Sequence, residues 1–573
     1  MLDKFAIAKA LREVGLLLEV KGENPFKVRA YESGARALED LPGDLAAVVA
    51  AGRLTETRGI GEALAKKIAE LHRTGRLALL EELRAELPPG VLDLLQIPDL
   101  GPKKIAALRA ALGIAGVEDL KAACLSGRVR AVKGFGERSE QKILEGIRRW
   151  EARDARLLLS VALEGAEPLL AHLRASPQVQ RADVAGSLRR WKETVGDLDL
   201  VAASDHPAAL ADHLAAHPPV AEVMARGEAG SRVRLASGLQ VDLRVAPAAG
   251  YPALLHHLTG SKAHHVRLRG LARDRGYTLS EWGLVRLADG QPVPLGEEAD
   301  VYRALGMQWV PPELREDQGE VEAALEGRLP EDLVRAEDVR GMVHCHTQYS
   351  DGRASIEEMA LAAEAMGMEY LTITDHSPSA AYAGGVRLDR LERQWEEIER
   401  VQERVRVRLL RGTESDILED GSLDYPDAVL ERMDVVIASI HSRMKMGEEE
   451  MTRRLVRAMR LPLFKIWGHA SGRLLGEREP YACRVEEVLD AIAASRAAVE
   501  VNGDPHRLDL EPRWIRLARE RGIRFVVSTD AHAVAGLQNL RFAVATARRG
   551  WLRRAEVLNT LDAGGFARAV RPA

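Results

Sequence analysis

Apolar residues recur every three to four positions through most of residues 1–150, in blocks separated by short glycine-containing breaks, and strand-like alternation is nearly absent there. That spacing predicts an all-helical region. From about residue 157 the texture changes: DVAGSLRRW, GDLDLVAA and GLQVDLRVA carry strand-like alternation between helical segments, which predicts an α+β domain. Residues 311–340 are charged, contain proline and show little apolar pattern, as a connector would. Beyond them lie seven apolar runs, MVHCH, YLTITDH, VRLLRGTE, VVIASIH, LFKIWGH, AAVEVNG and FVVSTDAH, separated by amphipathic segments such as residues 356–366 and 451–459. Repeated strand–helix units of this kind predict parallel strands in a barrel or sheet, with functional residues at the strand C-termini. The pattern divides the chain into 1–80, 81–155, 156–310, 311–340 and 341–573.

At 573 residues the chain is too long for one core. Its 46% apolar and 29% charged residues are an ordinary globular composition, and no apolar run approaches the roughly 20 residues that span a bilayer. The N-terminus lacks the basic-then-apolar order of a secretory signal. Three widely spaced cysteines, Cys124, Cys345 and Cys483, argue against a disulfide framework and for a reducing cytoplasm. The net charge of −5 divides into +4 over residues 1–150 and −9 over the rest, a bias that permits nucleic-acid binding without requiring it.

The breaks in the helical region repeat. RGIGEALAKKI (58–68), PDLGPKKIAAL (98–108) and VKGFGERSEQKIL (132–144) each place glycines before a lysine-bearing helix. Glycine at a helix N-terminus exposes backbone N–H groups to an approaching phosphate, and lysines one turn on add charge. Gly59, Gly61, Lys67, Gly101, Lys103, Lys104, Gly134 and Gly136 are therefore candidates for sequence-independent contacts to the DNA backbone. These elements resemble helix-hairpin-helix motifs.

In AGSLRRWKETVGDLDLVAA, Asp197 and Asp199 stand at i and i+2 of an apolar strand and project from one face. Two carboxylates there repel each other, and a divalent cation relieves the repulsion, as Mg²⁺ does in phosphoryl-transfer sites. Asp242, on the polar face of QVDLRV, supplies a third acid. Upstream, Gly186 and Ser187 form a turn suited to phosphate, with Arg190 to neutralise it. With LTGSKAHHVRLRGLARDRGYTLSEWGL, these motifs resemble the family X DNA polymerases, the polymerase β-like nucleotidyltransferases, over about residues 1–320. The resemblance implies helix-hairpin-helix DNA-binding regions and an α+β palm and thumb. It also implies two Mg²⁺ or Mn²⁺ ions on Asp197, Asp199 and Asp242. Ser187 and Arg190 would hold a deoxynucleoside triphosphate, Gly260 and Ser261 its sugar, and Arg269 the template strand. His257 and Leu258 stand where relatives carry Tyr-Phe, and His265 replaces an Asn expected at the minor-groove edge of the incoming base. Lys67 falls at the position of a Schiff-base lysine in eukaryotic relatives but is read as an electrostatic contact.

The seven runs of the C-terminal half collect His344, His346, Asp351, His376, Glu414, His441, His469, Asp530 and His532. Lone histidines are ordinarily structural, and His72 and His172 are read so, but six at equivalent strand ends are not. Cys345 points away from its neighbours and is read as packing. The set resembles the polymerase-and-histidinol-phosphatase (PHP) domain, a distorted (βα)7 barrel, with all nine ligand positions of its metal-replete members filled. Nine ligands suit up to three ions, and mixed nitrogen and oxygen ligation suits Mn²⁺, Zn²⁺ or Fe²⁺. The chemistry expected is metal-assisted phosphoester hydrolysis, with Arg473 or Arg507 gripping phosphate.

Together the halves resemble a bacterial-type family X DNA polymerase carrying its own hydrolase. The expected function is filling short gaps in DNA repair, with 3′–5′ exonuclease and, within the same class, 3′-phosphatase or abasic-site endonuclease activity. Gapped or primer-template DNA is the expected partner of a cytoplasmic, nucleoid-associated monomer with no membrane contact. The competing reading is a repair nuclease or phosphatase whose polymerase-like half only docks DNA.

Overall fold

The computed structural model describes every residue except 1–3, 40–47, 50, 58, 59, 89, 98, 99, 155, 237, 238 and 573. The chain falls into two compact units, one of residues 1–155 with 381–384 and one of residues 156–380 with 385–573.

The smaller unit is helical among its described residues, as its periodicity requires. Gly61 and Gly101 hold extended backbone (φ −82° and −77°) at the N-caps of helices Glu62–Thr74 and Pro102–Leu112, and Gly136 precedes helix Glu137–Asp154. One apolar cluster runs from Ile7 to Ile147, and Arg84 pairs with Glu13 at 2.7 Å. Segments 1–80 and 81–155, parsed separately from the sequence, thus share a core.

The larger unit begins with a five-stranded sheet of β1 (Arg181–Val184), β2 (Leu198–Ala203), β3 (Val220–Gly227), β4 (Gly230–Leu235) and β5 (Gln240–Ala246), in the order β1-β2-β5-β4-β3. Only β2 and β5 run parallel, and their register sets Asp199 directly beside Asp242. A thumb-like region follows, with helix Lys262–Asp274 and a hairpin of Tyr277–Ser280 with Gly283–Arg286. Residues 311–340, expected to be a connector, are folded instead. They carry helix Glu320–Leu325 and bury Leu314, Val321, Leu329 and Leu333 against Leu268, Tyr302 and Leu305. Their apolar residues are sparse, but each of these four is buried in the thumb core. Glu320 is fully buried, accepting from the backbone N–H groups of Asp317 and Gln318 and pairing with His264 at 2.6 Å.

Seven parallel strands then form the barrel: β6 (Gly341–Cys345), β7 (Tyr370–Ile373), β8 (Arg408–Asp416), β9 (Val435–Ser439), β10 (Lys465–Trp467), β11 (Ala497–Asn502) and β12 (Arg524–Ser528). A parallel bridge between Cys345 and Ala531 brings the last strand back to the first. All seven coincide with the apolar runs read from the sequence, because strands buried on both faces carry little polar alternation. The outward residues pack with the surrounding helices, while Val343, Tyr370, Leu410, Ile437 and Ile466 form a separate cluster with Phe566 and Val570 of the C-terminal helix Ala563–Val570.

Candidate active sites

Simple alternation would put His344 on the same side of β6 as Met342. It does not hold, because the register shifts between Met342 and Cys345 and His344 adopts φ +63°. This irregularity leaves Met342 and Cys345 in the outer core and sends His344 to the strand-end cluster. His469 (φ +23°) and Asp530 (φ +50°) are likewise left-handed, a conformation that persists only where the surroundings impose it. The loop after β6 turns back at Gly352, where a Cβ would lie 2.5 Å from the His346 carbonyl carbon, so only glycine permits the close approach. Asp351 is thereby set 3.8 Å from His346 Nδ1, 3.6 Å from His376 Nε2 and 3.3 Å from His532 Nε2.

Glu414, at the end of β8, is the centre of the cluster. Its Oε2 lies 3.4 Å from His344 Nε2, 3.6 Å from His346 Nε2 and 2.9 Å from His376 Nδ1, and its Oε1 lies 3.3 Å from His441 Nε2 and 2.7 Å from His469 Nε2. Three groups present ligand atoms within 4.8 Å of one another: His346, Asp351, His376 and His532; His344, His346 and Asp530; and His376, Glu414 and His441. His469 falls outside these groups but stands 3.2 Å from His441 Nε2. His344 Nε2, both ring nitrogens of His346 and Glu414 Oε2 are buried without a hydrogen bond. Orphaned acceptors of this kind, converging in a buried pocket, fit divalent ions. Burial opposes the Glu414 charge, yet the imidazoles of His441, His344, His376 and His469 hold it well below the carboxylate range. Burial likewise disfavours charge on His532, but Asp351 and Asp530 raise it to about 9.

A supporting layer escaped the sequence reading. Glu500 on β11 bonds His344 Nδ1 and accepts from the His469 backbone N–H, and Asp416 bonds His441 Nδ1. Asp375 accepts from Thr347 N–H at 2.7 Å and from the Thr347, Ser350 and Gln394 side chains. The available signal was, for Glu500, a carboxylate inside an otherwise apolar strand, for Asp416 its place two residues after Glu414 on the same face, and for Asp375 its place just before His376. Arg507 lies in the cluster, Nε 3.3 Å from Asp530 Oδ2. Arg473 does not: its Nε donates to the Arg507 carbonyl at 2.8 Å and its Nη2 to that of Leu508, so it is not available to grip phosphate.

In the sheet domain, Asp197 stands on the bend before β2 rather than on the strand. Burial, then the charges of Asp197 and Asp242, push Asp199 up to about 7. Asp242 is drawn to Arg232 Nε (2.6 Å) and Gln240 Nε2 (2.8 Å). These three acids are not drawn together as the barrel groups are, but a buried carboxylate repelled by two others is what Mg²⁺ or Mn²⁺ relieves. Gly186 holds φ +58°, and a Cβ there would lie 2.0 Å from Asp199 Oδ2, so glycine alone lets the Gly186–Arg189 turn meet that carboxylate. Ser187 lies within this turn. Arg190 follows it, pairing with Glu316 at 2.9 Å and donating to the Thr259 carbonyl. A Cβ on Gly260 would be 3.3 Å from Arg190 Nη1, so the two expected nucleotide-binding turns adjoin. The Ser261 hydroxyl caps helix Lys262–Asp274 by accepting from His264 N–H. His265 is buried and turned inward, Nε2 3.2 Å from His257 Nδ1, so two departures from the family pattern are in contact. Arg269 is exposed on the same helix.

In the helical unit, Lys103 is exposed beside the Gly101 cap, Gly134 is left-handed at φ +92°, and Lys67 Nζ donates to the Ala63 carbonyl of its own helix at 3.4 Å. Lys104 lies in the first turn of the same helix as Lys103. Gly59 lies outside the described residues. His72 is buried in its helix, and His172 stacks on His213 with ring centres 4.1 Å apart, as structural histidines do.

Known protein families match separate parts of the chain. Helix-hairpin-helix descriptions match residues 3–77 and 91–149, the DNA polymerase beta thumb matches 254–316, and the PHP domain matches 343–504. The chain is 36% identical to the DNA polymerase/3′-5′ exonuclease PolX of Bacillus subtilis over 97% of both chains. A probable phosphatase of Caldanaerobacter subterraneus is 30% identical over 33% of this chain and 74% of its own. DNA polymerase lambda of Rattus norvegicus is 24% identical over 45% of this chain and 47% of its own. A β-type polymerase half and a PHP barrel, matched end to end by one relative, make the chain a member of the bacterial PolX family, the family X DNA polymerases with a C-terminal PHP domain.

Proposed function

We propose that the chain adds deoxynucleotides to 3′ ends in gapped or primer-template DNA at Asp197, Asp199 and Asp242, and hydrolyses 3′-terminal phosphoesters in the barrel. The supporting observation is the coexistence in one unit of two separate centres, an oxygen-only carboxylate set and a Glu414-centred imidazole cluster. Asp197, Asp199 and Asp242 would hold two Mg²⁺ or Mn²⁺ ions. His344, His346, Asp351, His376, Glu414, His441, His469, Asp530 and His532 would hold up to three Mn²⁺, Zn²⁺ or Fe²⁺ ions. When bound, such ions supply Lewis acidity, lowering the pKa of the attacking hydroxyl or water and offsetting charge on the leaving oxygen.

This chain's own residues do the rest. Ser187 and the Gly186 turn receive the triphosphate, Arg190 offsets its charge, and Gly260 leaves room for the sugar. Asp242, the acid already paired with the exposed Arg232, would accept the primer hydroxyl proton. In the barrel, Glu500 and Asp416 fix the ring orientations of His344 and His441, and Arg507, held to Asp530 through Nε, would offer its Nη1, which has no hydrogen bond, to a phosphate oxygen. The glycine-led helices, with Lys103 and Lys104, would track the DNA backbone without reading sequence.

A gapped duplex incubated with Mn²⁺ tests the reading. With nucleotides the primer should lengthen, and without them it should shorten from its 3′ end. A chain that shortens the primer but adds nothing under any divalent ion would leave the polymerase half as a DNA-docking module.

A further inference from the structure

The barrel and the five-stranded sheet domain are packed into each other. Leu508 and Phe542 of the barrel belong to the apolar cluster of the sheet domain, and Phe542 meets Trp191 edge-on with ring centres 6.3 Å apart. Within this contact Glu193, on the turn between Arg190 and Asp197, faces two buried arginines of the barrel, Arg549 Nη1 at 3.0 Å and Arg473 Nη2 at 3.9 Å. Arg549 also donates to the Trp191 carbonyl at 3.3 Å. Burial opposes the Glu193 charge, but Arg549, Arg473 and Lys192 hold the carboxylate ionised, at about 2.

The barrel side leads to the hydrolytic cluster. Arg473 spends Nε and Nη2 on the carbonyls of Arg507 and Leu508. The Arg507 side chain turns the other way, to Asp530, with Nε and Nη1 buried and without a hydrogen bond. Trp191 and Leu508, on opposite sides of the contact, both hold left-handed backbone (φ +54° and +42°), which for bulky residues signals imposed geometry. Three side chains thus connect the polymerase half to a candidate metal ligand of the barrel: Glu193, Arg473 and Arg507.

We propose that Glu193, a residue of the polymerase half, is a positioning residue for the barrel. By anchoring Arg473 it fixes the 507–508 backbone, so that the Arg507 guanidinium faces Asp530 and the phosphate to be cleaved. The inference rests on the reading of the barrel as the hydrolase. Neutralising Glu193 would leave Arg549 without a carboxylate partner among the described residues and Arg473 with Glu511 alone, 3.7 Å from its Nη1, and the segment that carries Arg507 would shift. It also follows that the hydrolase cannot be separated cleanly from the polymerase half, although no metal ligand is shared.

The test is 3′–5′ hydrolysis of a 5′-labelled single-stranded oligonucleotide with Mn²⁺ by full-length wild type, Glu193→Gln, Arg507→Ala and the double variant. Glu193→Gln should lower kcat by roughly tenfold or more with bound metal unchanged, the scale of losing a residue that orients a metal site. It should cost nothing further on the Arg507→Ala background, and Glu193→Asp should recover part of the rate. An unchanged kcat in Glu193→Gln overturns the proposal. So does an equal loss on the Arg507→Ala background, which would mark Glu193 as a general stabiliser. Glu414→Ala, assayed alongside, reports on the siting of hydrolysis itself: activity surviving there overturns the barrel reading, whereas activity abolished there but intact in Glu193→Gln overturns only the role of Glu193.

Discussion

Asp199 shows what each centre asks of its residues. It is buried beside two other acids and takes up a proton near pH 7 when no cation is present. Its folded pKa of about 7 exceeds the unfolded value of about 4, so the metal-free fold binds the extra proton and loses that stabilisation as pH rises from about 4 through 7. Mg²⁺ binding at pH 6.5 should therefore release a proton, seen by calorimetry in buffers of different ionisation enthalpy, and Asp199→Asn should abolish that release. In the barrel, Glu500→Gln should weaken metal binding by roughly 10- to 100-fold, read by metal titration, because His344 loses the partner that fixes its ring. Eight of the nine ligand types were legible in the sequence because imidazoles and carboxylates at the ends of apolar runs have few structural explanations, and Asp351 by its place five residues after His346. Glu500 was not, since the run AAVEVNG was read for its polar end and the carboxylate lies inside it. The pairing of His257 with His265 was equally hidden, because eight residues of sequence separation do not say which way either ring turns.

At the scale of elements, parallel strands buried on both faces announce themselves as apolar runs, and all seven did. The irregularity in β6 did not, although it is what delivers His344 to the cluster. Residues 311–340 fold without announcing it. Leu314, Val321, Leu329 and Leu333 are separated by charged, glycine- and proline-containing stretches that break any continuous helical or strand-like pattern, yet all four are buried in the thumb core. The glycine-led helices carry a prediction of their own. Reversing charge at Lys103 and Lys104 should weaken DNA binding equally at all sequences and reduce the logarithmic salt slope by about 0.9 for each phosphate no longer neutralised. Fluorescence anisotropy across a salt series reads this, and an unchanged slope would make the Pro102–Leu112 helix a structural connector.

At the scale of the molecule, two candidate centres of different ligand type, the sheet carboxylates and the barrel imidazoles around Glu414, lie in one folded unit and share no residue. The carboxylates of the sheet favour hard cations, whereas the imidazoles of the barrel favour transition metals. Separate ligation at the two centres is therefore the central claim, and Glu414 is its most exposed point, because one carboxylate touches five imidazoles. The decisive measurement compares Glu414→Ala and Asp197→Ala with wild type on one gapped substrate, alongside metal analysis of each preparation. Glu414→Ala should lose bound transition metal and 3′–5′ hydrolysis while still filling the gap, and Asp197→Ala should do the reverse, its addition rate falling by several kcal/mol of transition-state stabilisation. Hydrolysis that survives Glu414→Ala with metal content unchanged would contradict the account.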